Sequence, residues 1–225
     1  MTLYHGGKQK IGKEIASIIQ QATDEVTYVG YCEPFCGMLG VFQHIPALLK
    51  CKSYLAGDAQ ESVIKMWKAA QKGWVPPRYH VSKEEFDRLS ETPNSSALKG
   101  FVGNQYGMRG KYFKTYLNRN GSKASDNVVR IANIIGDTKF SNNDYTQYSN
   151  LKYYIIYCDP PYKKQNSYYG EQHDKRYFDN SSFWEWCRKM SEYNYVFISE
   201  YEAPEDFECI WEDIKGEEKL FRLIE

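Results

Sequence analysis

Asp159-Pro160-Pro161-Tyr162 stands directly behind the apolar run Tyr153-Tyr154-Ile155-Ile156-Tyr157-Cys158. These residue types suit an amino group on a planar ring. An aspartate and the carbonyls of a proline pair accept hydrogen bonds from an amine, prolines carry no competing N–H, and a tyrosine ring stacks on a flat base. The tetrapeptide alone fits a plain strand-ending turn equally well.

Two further acids follow apolar runs. Val26–Tyr31 leads into Glu33-Pro34-Phe35-Cys36-Gly37, and Ser53-Tyr54-Leu55-Ala56 leads into Gly57-Asp58. In an open parallel sheet, ligands sit beyond the carboxyl ends of the strands, and an acid just past the second strand is placed to accept hydrogen bonds from ribose hydroxyls. No glycine-rich loop ending in Lys-Ser or Lys-Thr is present, so a nucleoside without phosphates fits better than ATP. That points to S-adenosylmethionine.

The elements that must position these residues are legible in the periodicity. Ile11, Ile15, Ile18 and Ile19 recur at helical spacing and predict a helix over about Lys10–Gln21. Strands are expected at Val26–Tyr31, Ser53–Ala56, Tyr153–Cys158, Tyr195–Ser199 and Lys219–Ile224, and helices at about Val41–Leu49, Glu61–Gln71 and Ser182–Tyr193. Strands alternating with helices predict an α/β fold with a parallel sheet. Trp74-Val75-Pro76-Pro77 breaks the pattern, and a polar, basic, irregular segment is expected to about Val129. The organisation expected is a sheet domain over residues 1–72 and 132–225, interrupted by a recognition insert over 73–131.

Composition excludes other classes. The 225 residues are 42% hydrophobic and 16% aromatic, ordinary and high respectively for a soluble chain. No secretory start and no long apolar run are present, so neither export nor a membrane is expected. The six cysteines lack metal-ligand spacing and read as reduced core thiols of an intracellular protein. The zero net charge conceals an asymmetry: seven basic residues face one acid between Lys99 and Arg130, while ten acids face three bases from Ser199 to Glu225. A polyanion would be steered to the first and repelled by the second.

Taken in order, Tyr4-His5-Gly6-Gly7-Lys8, Glu33-Pro34-Phe35-Cys36-Gly37, Gly57-Asp58 and Asp159-Pro160-Pro161-Tyr162, with a basic stretch before the last, resemble the motifs of Dam-type, alpha-group DNA adenine-N6 methyltransferases. The likeness extends to Phe197-Ile198-Ser199-Glu200-Tyr201 and Ala203–Phe207, and so covers nearly the whole chain. It implies a Rossmann-like S-adenosylmethionine-dependent methyltransferase fold with an inserted DNA-recognition region. Lys8 would pair with the cofactor's methionine carboxylate and Tyr4 would pack beside it. Glu33, Pro34, Phe35, Cys36 and Gly37 would form the loop lining the methionine and adenosine pocket, Asp58 would hold the ribose, and Asp144 would lie near the adenine ring. Relatives usually carry a second glycine where Leu39 stands, and this departure bears on cofactor affinity.

The resemblance also implies a mechanism. The target adenine leaves the duplex stack for the pocket. Asp159 and the Pro160 carbonyl accept hydrogen bonds from its amino group, Pro161 stiffens the loop, Tyr162 stacks on the base, and no metal is needed. Within Gly107–Tyr116 and beyond, Arg109, Lys111, Lys114, Arg119 and Lys123 are the expected DNA contacts, with Arg109 the candidate to read a guanine edge. A cytosine-N4, RNA or protein amide methyltransferase, or a DNA-binding protein without catalysis, remain alternatives. The sequence leaves open the recognition site, a cognate restriction nuclease as partner, and the oligomeric state.

Overall fold

The computed structural model describes residues 4, 6–162, 168–169 and 176–224. Its first unit is helix α1 (Gly12–Ala22), which buries Ile15, Ala16 and Ile19 on one face, followed by strand β1 (Gly30–Glu33). A 3-10 turn at Phe42–His44 runs into the short helix α2 (Ile45–Leu48), and strand β2 (Ser53–Gly57) and helix α3 (Glu61–Gln71) complete the expected βαβα order. β1 starts later than its apolar run suggested and continues through Glu33. That acid is therefore the last residue of the strand and not the first of the loop.

The middle of the chain departs from expectation: it is largely helical. α4 (Lys83–Glu91), α5 (Ala97–Gln105) and α6 (Ser122–Ile135) occupy it. The causes are local. The Ser82 side chain accepts from the Glu85 N–H at 3.2 Å, and Ser82-Lys83-Glu84-Glu85 has the composition of a capping box. Ser96 caps α5 in the same way through the Lys99 N–H at 3.1 Å. α6 buries Val128, Ile131, Ala132 and Ile135 at helical spacing, and it continues across the position expected to divide residue 131 from 132. Val81, Phe86, Phe101, Val102, Tyr106 and Val128 belong to the same buried cluster as Tyr31, Ala56 and Ile155 of the sheet. The segment thus packs into the core of the sheet domain.

Past α6 come β3 (Lys139–Ser141), a 3-10 turn at Tyr145–Tyr148, and β4 (Tyr154–Cys158). Two short strands, β5 (Tyr168–Tyr169) and β6 (Arg176–Tyr177), pair antiparallel. Helix α7 (Asn180–Ser191), β7 (Tyr195–Glu200), β8 (Phe207–Glu212) and β9 (Lys219–Leu223) close the chain. β3 and β8 have no counterpart in the periodicity reading, because three residues are too few for a pattern and β8 mixes Phe207, Ile210 and Trp211 with acids.

Among the described residues the main sheet has seven strands in the order β3-β2-β1-β4-β7-β9-β8. The first five are parallel, and β9 runs antiparallel to both β7 and β8. From β1 the chain steps outward to β2 on one side, and β4 later takes its place on the other. The order therefore reverses between β1 and β4, and a crevice opens at their carboxyl ends. Both strands are buried along nearly their whole length, which accounts for their apolar composition.

Candidate active site

β4 ends at Cys158 because Pro160 and Pro161 cannot donate to a ladder, and the chain leaves the sheet with Asp159 at the crevice. On the N-terminal side, a turn in which the Gly7 N–H donates to the Tyr4 carbonyl at 3.0 Å brings Lys8 inward. The Lys8 side chain is 3% exposed, so its ammonium requires acceptors. It has three. Nζ lies 2.8 Å from Asp159 Oδ1, 2.8 Å from the Gly6 carbonyl and 3.5 Å from Glu218 Oε2. The same nitrogen sits 4.7 Å from the centre of the Tyr162 ring. Burial pushes the Asp159 carboxyl above the usual aspartate range, and the adjacent ammonium opposes that shift.

Tyr162 is itself buried, donates its hydroxyl to Glu218 Oε2 at 2.7 Å, and meets the ring of Tyr201 edge to face at 4.7 Å. Lys8, Asp159 and Tyr162, expected as one site from motifs 151 residues apart, are thus in contact. Glu218 and Tyr201 complete the cluster. Tyr201 closes the stretch Phe197–Tyr201 that carries part of the resemblance but has no role assigned from it, and Glu218 is one acid among ten in an acidic tail, with nothing in the sequence to single it out.

The second half of the site lies across β1 and β2. Asp58 is buried; its Oδ2 accepts from the Gly37 N–H at 2.9 Å and its Oδ1 from the Gln60 N–H at 2.8 Å. Burial raises its carboxyl from 3.8 to about 6, against the pull of those donors. Gly37 has φ +42° and lies under the Tyr4 ring, so a methyl group there would come within 2.6 Å of Tyr4 Cε1. Its carbonyl accepts from Trp67 Nε1 at 2.9 Å, and the Cys36 N–H donates to the Gly57 carbonyl at 2.8 Å. The loop after β1 is therefore fastened to the end of β2 by backbone and side-chain bonds together.

Leu39 adopts φ +56° and is fully buried. The backbone thus takes the left-handed conformation that a glycine would favour, at a cost of about 1–2 kcal/mol. Burying a leucine side chain contributes about 1.5–3 kcal/mol in the other direction. Leucine is tolerated because the core receives its side chain.

The other loop residues have distinct placements. Glu33 is buried and accepts from the Tyr31 hydroxyl at 2.7 Å; burial drives its carboxyl well above the usual range, with Asp159 adding to the shift. Pro34 and Cys36 are buried, and burial pushes the Cys36 thiol up, away from nucleophilic chemistry. Phe35 turns its ring into a second aromatic core beside Tyr145, Phe178 and Phe183. Asp144 is exposed and caps the turn that follows by accepting from the Thr146 N–H at 3.0 Å. Asn142, two residues before it, donates to the Asp58 carbonyl at 2.9 Å and ties this loop to the same edge. His5 lies outside the described residues.

The basic residues are arranged differently. Arg109, Lys111, Lys114 and Lys123 are exposed, while Arg119 is half-buried and donates to the Gln105 carbonyl at 3.3 Å. The aromatics between them face inward. Phe113 is buried, Ser62 Oγ lies 3.0 Å from the Tyr112 hydroxyl, and Tyr116 donates to the Val81 carbonyl at 2.7 Å. Lys99, counted in the basic stretch, is buried with its ammonium on the Thr92 carbonyl, and so does not present charge to solvent. Gly110 lies against the backbone of Tyr4, where a methyl would come within 2.5 Å of the Tyr4 nitrogen, so the basic loop abuts the segment that carries Lys8. At the other end of the chain, pairs such as Arg222 with Glu208 at 2.6 Å and Arg188 with Asp206 neutralise part of the acidic tail. Among the described residues no helix is long and apolar enough to cross a membrane.

Among solved structures the chain is similar to the rRNA methyltransferase aviRa from Streptomyces viridochromogenes, at 10% identity and a TM-score of 0.46 over 94% of this chain and 84% of that one. It is also similar to TrmN from Thermus thermophilus, at 10% identity and a TM-score of 0.44 over 94% of this chain and 49% of that one. No curated protein matches the sequence. The family model that does match takes in residues 4–101 and 99–223, and with them the Lys8, Asp58 and Asp159 positions described above; the chain belongs to the D12 class N6 adenine-specific DNA methyltransferase family.

Proposed function

We propose that this methyltransferase transfers a methyl group from S-adenosylmethionine to the N6 amino group of adenine in duplex DNA. The observation that carries the reading is the Asp159 carboxylate held 2.8 Å from Lys8 at the strand-order reversal, with the Tyr162 ring beside it. The residues present fit the cofactor. A buried ammonium suits its carboxylate, and Asp58 retains acceptor capacity beyond the donors it already binds. When bound, the cofactor supplies an electrophilic methyl group on a sulfonium.

The chain's own residues do the rest. Lys8 is shared between Asp159 and any further carboxylate within reach, so its movement toward a cofactor carboxylate frees an Asp159 oxygen. That oxygen and the Pro160 carbonyl then accept the two N–H bonds of the target amine and aim its lone pair. As the nitrogen bonds to the methyl carbon and that carbon's bond to sulfur breaks, positive charge develops on the nitrogen; the Asp159 carboxylate stabilises it at short range in a poorly solvated crevice, and one N–H proton then leaves to solvent. Flipping adenine out of the duplex costs a few kcal/mol, part of which stacking on Tyr162 returns. Asp144, on the loop tied to Asp58, borders the adenosine end.

Duplex DNA is the proposed partner, gripped through phosphates by Lys111, Lys114, Arg119 and Lys123, with Arg109 as base reader. A DNA substrate places the site of action inside the cell. The test is transfer of labelled methyl to unmethylated DNA, RNA and a protein mixture in parallel. Label confined to DNA is expected; label in RNA or protein alone overturns the substrate assignment.

A further inference from the structure

Glu218 lies at the end of the turn that joins β8 to β9, 56 residues along the chain from Tyr162, and its side chain is 23% exposed. The turn is stiffened by Asp213, whose carboxylate accepts from the Glu217 N–H at 2.8 Å and the Glu218 N–H at 3.1 Å, while the Asp213 N–H donates to the Glu218 carbonyl at 2.9 Å. Glu218 is therefore presented by a fixed turn. Its Oε2 receives the Tyr162 hydroxyl at 2.7 Å and stands 3.5 Å from the Lys8 ammonium.

A phenol has one proton to donate. Asp159 and Glu218 are the two carboxylates around the Lys8 ammonium, at 2.8 and 3.5 Å, and the Tyr162 ring centre is 4.7 Å from the same nitrogen; of the two, Glu218 takes the phenol's proton. The acceptor that wins decides whether Asp159 keeps its lone pairs for a substrate amine. We propose that Glu218 is a positioning residue of the methyl transfer, holding the Tyr162 hydroxyl so that the ring is set for stacking and Asp159 stays open as an acceptor. This rests on the assignment of Asp159 and Tyr162 to the transfer. Burial raises the Glu218 carboxyl and the Lys8 ammonium opposes the shift, in keeping with a carboxylate held between a cation and a phenol.

The experiment is a double-mutant cycle on purified full-length protein, reading kcat and KM for unmethylated DNA together with cofactor affinity. Glu218→Ala is expected to lower kcat about tenfold, the loss of one hydrogen bond to a charged acceptor. Cofactor affinity should stay within about threefold of wild type. Glu218→Gln keeps an oxygen acceptor for the phenol and is expected to recover most of the rate. Tyr162→Phe combined with Glu218→Ala is expected to be no slower than Glu218→Ala alone. Multiplying defects in the double variant, or a glutamine variant as slow as the alanine one, would overturn the role through Tyr162. The thermal midpoints of all variants are read in parallel, and a kcat loss that tracks unfolding also overturns it. Wild-type protein that binds cofactor and transfers no methyl to DNA sinks the functional reading itself, whereas an active wild type with an indifferent Glu218→Ala sinks only this inference.

Discussion

At the carboxyl edge of the sheet, Lys8 is 3% exposed and clasped by Asp159, Glu218 and the Gly6 carbonyl, whereas Arg109, Lys111 and Lys114 stand in solvent on a loop whose aromatics pack inward. Under the proposed function both regions offer charge to a ligand, and they hold it by opposite means. In the first, desolvation makes every ionic contact strong and every missing partner costly, so the groups are held by one another in defined positions. In the second the charges are hydrated, each is worth little alone, and geometry is left to the phosphate backbone they would meet. Single substitutions should therefore be severe in the crevice and mild on the loop.

The largest effect is expected at Asp159. Asp159→Ala should lower the transfer rate on the order of 10³-fold, comparable to removing a principal charge-stabilising group from an active site. Single-turnover rates with DNA in excess measure it, and a loss under tenfold breaks the contrast at its strongest point. Leu39 comes next, read in stability. Leu39→Ala should cost about 2–5 kcal/mol by opening a cavity. Leu39→Gly should cost less than that, because the φ of +56° relaxes when the Cβ is removed. Denaturant titration of the pair decides, and a glycine variant less stable than the alanine one contradicts the left-handed assignment. Lys8→Met should weaken cofactor binding about 10- to 100-fold, the range for a lost charged hydrogen bond, as read by calorimetry.

A pH effect of intermediate size follows from Asp58, whose carboxyl is raised from 3.8 to about 6. Between those values the folded protein binds a proton more readily than the unfolded chain, so stability should fall as pH rises through this window. Two pKa units correspond to up to about 3 kcal/mol, and in Asp58→Asn the slope should lessen by that share while the contributions of the other raised carboxyls, Glu33, Asp159 and Glu218, remain. Cofactor binding should move the other way, tightening as Asp58 ionises toward and above pH 6, since an ionised carboxylate is the better acceptor for hydroxyls. Parallel denaturation and binding series between pH 4 and 7 would separate the two trends. The smallest effects belong to the loop. Lys114→Ala should weaken DNA binding only a few-fold on all sequences and reduce the slope of log affinity against log salt by about one. Arg109→Ala should in addition blur sequence preference, and a purely uniform loss would reassign Arg109 to a phosphate.

What could be read in the sequence divides along the same line. β4 and α3 lie where their patterns place them, Lys8 and Asp159 meet, and Asp58 stands at the end of the neighbouring β2, because a buried site restricts residue types and spaces them around strand ends. The middle of the chain reads as irregular and is helical. Its helices carry audible start signals at Ser82 and Ser96, but Phe86, Leu89 and Phe101 are spread among charges and glycines that mask the period. Glu218 was illegible for a different reason: a contact between a hairpin turn and a motif 56 residues earlier depends on the antiparallel pairing of β9 with β7, which no local pattern announces. The aromatic interleaving near Arg109 was legible as composition but not as direction, since only the fold turns Phe113 inward and leaves Lys114 outside.

The central claim is that the Asp159 loop methylates adenine in DNA. It is tested most directly by expressing the wild-type chain and Asp159→Ala in a bacterial host that makes no modified adenine, then measuring nucleosides of its genomic DNA by mass spectrometry. N6-methyladenine with the wild-type chain, absent with equally abundant Asp159→Ala protein, is the expected result. N4-methylcytosine, unmodified DNA, or N6-methyladenine that persists in the alanine variant would contradict the account.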